Sequence, residues 1–161
     1  MNRVAHAAPH ATKRRTRIAS GILALALIVS ASAARAQNVE DFGAYRVHYS
    51  ALPTEALLPD VARSYGIARS RARGLLNIAV QRIADGEASA PVRATLKGTA
   101  TSLAGERTNL GFREIAEEGA VYYIAEFPVS APDTYRFSIS ITPENATSTD
   151  VLKFSQDFVA E

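Results

Sequence analysis

The stretch "TYRFSISI", residues 134–141, decides the fold class because its side chains alternate in polarity. Aromatic and aliphatic residues stand at every second position, with an arginine and two serines between them. Successive side chains of a β-strand point to opposite faces. The pattern therefore predicts a strand that buries one face and exposes the other.

The same period of two recurs on both sides of this stretch. It is found in residues 45–49, 76–81, 92–97, 110–113 and 152–158. The segment "AVYYIAEF", residues 120–127, is apolar on both faces, which favours a central strand. About seven short strands predict an all-β protein, an antiparallel β-sandwich of immunoglobulin-like type. The cysteine pair and tryptophan of antibody domains are missing, since the chain contains neither residue.

One segment, "LPTEALLPDVARSYG" from residue 52 to 66, departs from the strand pattern. Pro59 suits the first position of a helix, and Asp60 complements the helix dipole in the first turn. Gly66 can end the helix in a left-handed conformation. We therefore expect one short helical crossover near residues 54–65, between the first two strands.

The first 36 residues have the composition of an export signal. A basic segment from Lys13 to Arg17 precedes the apolar run 18–30, and small residues follow up to Ala36. This order is typical of a secretory signal peptide, with cleavage before Gln37. The apolar run is shorter than the roughly 20 residues of a membrane-spanning helix. We expect a signal peptide at 1–36, a single periplasmic domain at 37–161, and no stable membrane anchor after cleavage.

Removal of the leader changes the sign of the net charge. Six of the 18 basic residues and none of the 16 acidic residues lie in the leader, so the mature chain carries 12 basic and 16 acidic groups. Nucleic-acid-binding proteins concentrate positive charge. A net-negative mature domain therefore argues against a nucleic-acid partner.

The mature chain lacks the motifs of common enzymes and cofactor-binding proteins. It has no cysteine and a single histidine, His48, whereas a catalytic zinc site needs about three protein ligands. No nucleophile elbow and no glycine-rich phosphate loop are present. We predict no metal, no cofactor and no assignable catalytic residue. A pair of carboxylates from distant strands stays open as an alternative.

Three arginines precede the strongest apolar run, in "YGIARSRARGLLNIAV", residues 65–80. Arg69, Arg71 and Arg73 would share one face if the segment were extended, and together could bind an anion. Two structural interpretations compete with this one. The arginines can solvate a strand edge, or one of them can bind carbonyl groups of the preceding helical turns.

The chain resembles the exported bacterial family called domain of unknown function 4426. The resemblance covers about residues 40–160, and "SYGIARSRARGLLNIAV", residues 64–80, is its most specific part. It implies a single-domain periplasmic protein with a β-rich fold and no established activity. The positions shared with the family are Tyr45, His48, Tyr49, Tyr65, Arg69, Ser70, Arg73, Gly74, Leu75, Leu76 and Asn77. Arg71 lies where the family accepts other residues, which shifts attention to Arg69 and Arg73.

The sequence favours a non-enzymatic module that binds a protein or cell-envelope component through one sheet face. The expected binding residues are Arg46, His48, Arg69, Arg73 and Asn77. The alternative is an enzyme acting on a small envelope metabolite or sugar through His48 and remote carboxylates, which requires a pocket where histidine, carboxylate and arginine converge. An assembly factor that uses an open sheet edge is a third possibility. The sequence specifies neither the partner nor the oligomeric state.

Overall fold

The computed structural model describes residues 38–83, 90–117 and 119–159, and these form an antiparallel β-sandwich. The predicted fold class is therefore confirmed. The strands are β1 Asn38–Phe42, β2 Tyr45–Pro53, β3 Arg73–Arg82, β4 Ala90–Pro91, β5 Ala94–Thr101, β6 Arg107–Leu110, β7 Arg113–Glu117, β8 Ala120–Pro128, β9 Asp133–Pro143 and β10 Asp150–Phe158. Between β2 and β3 lie a 3-10 turn, Thr54–Ala56, and the helix α1, Pro59–Ser64.

Two sheets make up the sandwich. The large sheet has the order β1-β2-β3-β8-β7, with the short β4 paired to β3. The small sheet has the order β10-β9-β5-β6. The chain passes between the sheets after β4, after β6 and after β8, and every strand pairing is antiparallel.

The described residues contain ten strands rather than about seven. One cause is the segment 110–113, which alternates like a single strand but contributes to both sheets. Strand β6 ends at Leu110 in the small sheet, and β7 begins at Arg113 in the large sheet. Leu110 is buried in the core, and Phe112 packs against the same core from the passage between the sheets. The alternation continues because Leu110, at the end of β6, and Phe112, in the passage, pack into one shared core.

The main core fills the space between the two sheets. Strand β9 contributes Tyr135, Phe137, Ile139 and Ile141, all buried, as its alternation predicts. The large sheet contributes the buried residues Val47, Leu76, Ile78, Val80, Ala125 and Phe127. Gly74 faces Phe127 closely enough that an added Cβ would meet the aromatic ring. Dense packing of this kind explains how a cysteine-free sandwich holds together.

A second apolar cluster lies on the opposite face of the large sheet. Leu75 of β3 and Ile124 of β8 point away from the main core and are covered by Leu57, Ala62 and Ile67. The crossover thus packs on one end of the sheet's outer face, and the helical prediction for residues 54–65 is confirmed. Gly66 has a φ of +65°, which supports its expected role at the end of α1.

Two sets of predicted features lie outside the described residues. These are the leader with its cleavage point, and the segment around Asp85 and Gly86, where an aspartate followed by a glycine predicts a turn after the segment 76–81. No helix in the described ranges is long and apolar enough to cross a membrane. The immunoglobulin-like assignment and the single-domain boundary at residue 37 stay predictions.

Candidate functional site: a polar cavity on the outer face of the large sheet

The outer face of the large sheet, away from the small sheet, changes character along its strands. Residues paired directly across neighbouring strands present their side chains on the same face. Ser50 of β2 pairs with Asn77 of β3, and His48 pairs with Ala79. One pair further along, Arg46 lies opposite Gln81. The register therefore gathers polar side chains from two adjacent strands beyond the end that the crossover covers.

These side chains surround a cavity of about 180 Å³. Its lining residues are His48, Tyr49, Ser50, Asn77, Ala79, Gln81 and Tyr122. Tyr122 comes from β8, on the far side of β3 from β2. Three neighbouring strands in the middle of the large sheet therefore position the cavity, which gives it a rigid floor.

His48 is held within the cavity by Gln81. Its Nε2 lies 3.2 Å from the Gln81 Oε1. Because an amide oxygen only accepts hydrogen bonds, His48 donates through Nε2 in this arrangement. The imidazole is thus oriented by a neutral partner.

Asn77 has unused hydrogen-bonding capacity. Its Oδ1 is fully buried and has no hydrogen-bond partner among the described residues. A buried acceptor without a donor costs roughly 1–3 kcal/mol. A half-turn of the amide about its last bond exchanges the oxygen with the NH2 group, so either end can face the cavity. The position is an energetic liability that a ligand with hydrogen-bonding groups would relieve.

Two tyrosine hydroxyls lie at the side of the cavity that meets the crossover. Burial raises the pKa of Tyr122, with a further contribution from Glu117. Burial also raises the pKa of Tyr65 to about 12, together with the hydrogen bond that its hydroxyl donates to Glu117 Oε1 at 2.5 Å. Both phenols therefore keep their protons at neutral pH, and the Tyr122 hydroxyl can donate into the cavity.

A narrow apolar slot of about 30 Å³ adjoins the cavity under the crossover. Ser50 and Asn77 line both spaces. The other slot residues are mainly apolar and include Leu52, Leu57 and Leu75. Asn77 thus marks the boundary between the covered, apolar end of the outer face and its open, polar part.

Of the five predicted binding residues, the structure brings His48 and Asn77 into the cavity, and Arg46 lies beside them. Arg46 binds Asp41 of β1 through two hydrogen bonds of 2.8 Å each. This hydrogen-bonded pairing lowers the pKa of Asp41. The guanidinium is therefore engaged by a carboxylate of the neighbouring strand.

Arg69 and Arg73 lie away from the cavity. Arg69 donates two hydrogen bonds to the backbone oxygen of Glu55, at 2.7 and 3.3 Å, and so binds the 3-10 turn. Arg71 pairs with the Glu55 carboxylate at 2.7 Å, and Arg73 with Glu126 at 3.2 Å. Residues 67–72 are not a strand, so the three arginines do not share one strand face. The contacts of Arg69 match the alternative in which an arginine binds carbonyls of the helical turns.

The lining of the cavity differs from what the enzymatic alternative requires. Neither a carboxylate nor an arginine is among the lining residues. Within the described ranges, no group of three or more His, Cys, Asp or Glu side chains could hold a metal ion. The lining residues therefore do not bring a histidine, a carboxylate and an arginine together, as that alternative requires.

Sequence reasoning missed Ser50, Gln81 and Tyr122 as lining residues. Gln81 stands at an outward position of the alternating segment 76–81, Ser50 directly follows the segment 45–49, and Tyr122 lies in a segment that is apolar on both faces, so only Gln81 carries a signal from alternation. Ordinary solvated residues of a sheet give the same signal. The pairing of Ser50 with Asn77 depends on the register between β2 and β3, which the sequence does not state.

Fold and cavity together define the class of protein: an antiparallel β-sandwich with an uncharged polar cavity on the outer face of one sheet. The family described as "Domain of unknown function (DUF4426)" matches residues 39–161. This chain belongs to that family. The family resemblance of the sequence is therefore confirmed.

A solved structure agrees with this assignment. A DUF4426 family protein from Pseudomonas aeruginosa PAO1 is 32% identical and superimposes with a TM-score of 0.65, over 77% of this chain and 95% of that one. FetP from uropathogenic Escherichia coli strain F11, expressed in the periplasm of E. coli, is 12% identical with a TM-score of 0.56, over 76% and 93% of the two chains.

A copper-bound variant of FetP is 13% identical with a TM-score of 0.55, over 78% of this chain and 97% of that one. At such low identity, both FetP structures show the fold alone. No match to this chain is found among curated proteins.

Proposed function

We propose that this protein is an exported, non-enzymatic binding module whose ligand is a polar group of a cell-envelope component. The ligand occupies the cavity between His48 and Asn77. The observation that carries the proposal is the buried, unpaired Oδ1 of Asn77 in a cavity whose other polar side chains also carry no fixed charge. A buried polar atom without a partner in the protein calls for an explanation, and a bound ligand supplies one.

Two further observations support export to the periplasm. The first 36 residues have the order of a secretory signal peptide, with cleavage before Gln37. FetP, which has a similar fold, was expressed in the periplasm. We therefore place the functional domain at 37–161, on the far side of the inner membrane.

The proposed binding surface is the cavity, and it does not include Arg69 and Arg73, which the sequence favoured as binding residues. Arg69 and Arg73 already have protein acceptors. The cavity, in contrast, is lined by Asn77, whose buried Oδ1 no described residue satisfies. Arg46 and Asp41 form a charged rim beside the cavity, which can orient a larger envelope component around the group that enters it.

The test is an NMR titration of the ¹⁵N-labelled protein purified from the periplasm, with soluble fragments from enzymatic digestion of the bacterial envelope. We expect chemical-shift changes confined to the lining strands β2, β3 and β8. Asn77→Leu should abolish these changes. Ser140→Ala should leave them intact, because Ser140 lies on the small sheet, paired with Lys97. Changes confined to the small sheet, or none at all, would refute the proposal.

Fractionation of cells that express the full chain, with mass spectrometry of the protein in each fraction, tests export separately. A mature chain that begins at Gln37 supports it. An intact leader that stays with the membrane fraction contradicts it.

A further inference from the structure

The cavity allows a sharper statement about the ligand, which rests on the proposed function. We infer that the cavity binds one neutral, hydroxyl-rich six-membered ring, that is, a single uncharged sugar unit. Three properties of the lining residues lead to this inference: charge, size and hydrogen-bonding pattern.

The charge of the lining argues against an ionic ligand. Two amides, the phenol of Tyr122, one serine hydroxyl and one imidazole supply its polar groups, and no lysine, arginine or carboxylate takes part. Tyr49 borders the cavity from its strand, but its ring packs on Phe154 in the main core. A charged group that leaves water without a partner of opposite charge loses much solvation energy. Arg46 and Asp41 beside the cavity neutralise each other at 2.8 Å. Glu117, whose charge acts on Tyr122, already accepts a hydrogen bond from the Tyr65 hydroxyl. A carboxylate, phosphate or ammonium ligand would therefore find no counter-ion in the cavity.

The size of the cavity matches one ring. Its volume is about 180 Å³. A protein cavity of roughly 150 Å³ is known to accept benzene, a six-membered ring without substituents. A hexose ring with its hydroxyl groups therefore fits when part of it remains at the open mouth. A folded peptide segment would not fit, and only Ala79 and the ring of Tyr122 offer apolar contacts for its side chains.

Most hydrogen-bonding groups of the lining can both donate and accept. Asn77 and Gln81 each carry an amide with both functions, and Ser50 and Tyr122 carry hydroxyls that can donate or accept. A sugar hydroxyl has the same double capacity, so a ring of hydroxyls can satisfy several of these groups together. After the half-turn of its amide, Asn77 Oδ1 can face the cavity and accept a hydrogen bond from one such hydroxyl. The aromatic ring of Tyr122 provides a surface for the C–H groups of the sugar.

The experiment uses the methyl glycosides of glucose and N-acetylglucosamine as neutral probes. Glucuronic acid and glucosamine serve as charged probes of the same size. Binding is followed by the shifts of the ¹⁵N-labelled protein, up to the solubility limit of each sugar. We expect at least one neutral probe to shift the resonances of the cavity residues until the change reaches saturation. The charged probes should bind about tenfold more weakly or not at all.

Two variants locate the site. Asn77→Leu should weaken binding of the neutral probe at least about tenfold, and Tyr122→Ala should do the same because it removes the aromatic surface. Ser140→Ala should leave the affinity unchanged. Tyr122→Phe separates the two roles of Tyr122, since it keeps the ring and loses only the hydroxyl.

The inference and the proposed function fail in different ways. If no neutral sugar shifts the cavity resonances but envelope fragments do, the sugar inference is overturned and the binding function stands. If charged probes bind as tightly as neutral ones, the inference is overturned as well. If neither sugars nor envelope fragments shift these resonances, both are wrong.

Discussion

Asn77→Leu should stabilise the protein, although it removes a polar residue from the middle of the large sheet. Leucine has the same branching as asparagine, with two methyl groups in place of the amide oxygen and nitrogen. The change removes a buried acceptor without a donor, which costs about 1–3 kcal/mol. Asn77 as a whole is only half-buried, so we take the lower part of that range.

The new methyl groups would also extend the apolar slot beside Leu52 and Leu75. We expect the free energy of unfolding to rise by about 1–2 kcal/mol. For a domain of this size, the melting temperature should increase by about 4–8 °C. Urea denaturation gives the free energy, and calorimetry gives the temperature.

Gln81→Met is the matched control. Gln81 lies on the same strand and the same face, four residues beyond Asn77, but its amide oxygen has His48 as a partner at 3.2 Å. Methionine keeps the shape of glutamine and removes the hydrogen bond. We expect a loss of about 0.5–1 kcal/mol. A loss of 1 kcal/mol or more in Asn77→Leu would refute the reasoning, because it would mean that Asn77 is satisfied in the folded protein.

The remaining predictions concern stability elsewhere in the sandwich. Arg69→Ala should lower the free energy of unfolding by about 1 kcal/mol, because two hydrogen bonds to a turn carbonyl are lost. Arg71→Ala breaks only an exposed ion pair and should change this free energy by less than about 0.5 kcal/mol. Equal losses in urea denaturation would contradict this distinction. Gly74→Ala should lower the free energy of unfolding by about 2 kcal/mol, because the new Cβ meets the buried ring of Phe127. Gly111→Ala is the control in calorimetry and should lose less, because the space around Gly111 is open. Stability should also fall as the pH rises from about 10 to 12. In this range the unfolded chain has released the Tyr65 proton, because the ordinary pKa of tyrosine is about 10, whereas the folded chain still holds it, because burial raises the pKa of Tyr65 to about 12. Tyr65→Phe should reduce this loss of stability when urea denaturation is measured at each pH. If the free energy of unfolding of the variant fell just as steeply with pH, other groups would be the cause.

Alternation was sufficient to predict the fold class. Strand β9 shows why, because its buried residues from Tyr135 to Ile141 and its outward serines follow the quoted pattern without a break. The crossover was also predictable, since Pro59 and Gly66 have conformational preferences that act locally. Both predictions use information from residues close together in the chain.

The strand count and the passage near Gly111 were not predictable in this way. Alternation reports which side of a segment is buried, but not which of two facing sheets the segment joins. Leu110 contacts the core from the end of β6 and Phe112 contacts it from the passage to β7, so their spacing looks like that of a single strand. Strand β1 was missed because "NVEDF" is short and mostly polar, and its pairing with β2 places it at the edge of the large sheet.

The candidate site was predictable in part. His48 and Asn77 were expected to bind and do line the cavity, although binding itself stays a prediction. The arginines were expected on an extended segment, where the i, i+2 spacing would align them. Instead, residues 67–72 form an irregular return from α1. Thr54 holds this return in place, since its hydroxyl contacts the backbone oxygens of Ala68 and Ser70 and the amide of Ser70.

The position of the cavity follows from the length of the crossover. A six-residue helix such as α1 is about 9 Å long, whereas the ten-residue strand β3 spans about 33 Å. The crossover can therefore cover only one end of the outer face. The outward positions of β3 agree with this limit: Leu75 lies under the crossover and is buried, but Asn77, Ala79 and Gln81 lie beyond it. A sheet face that only meets water needs neither a buried, unpaired amide nor a tyrosine from the next strand. Their presence directly beyond the covered end is the reason to regard the open part of this face as a binding site.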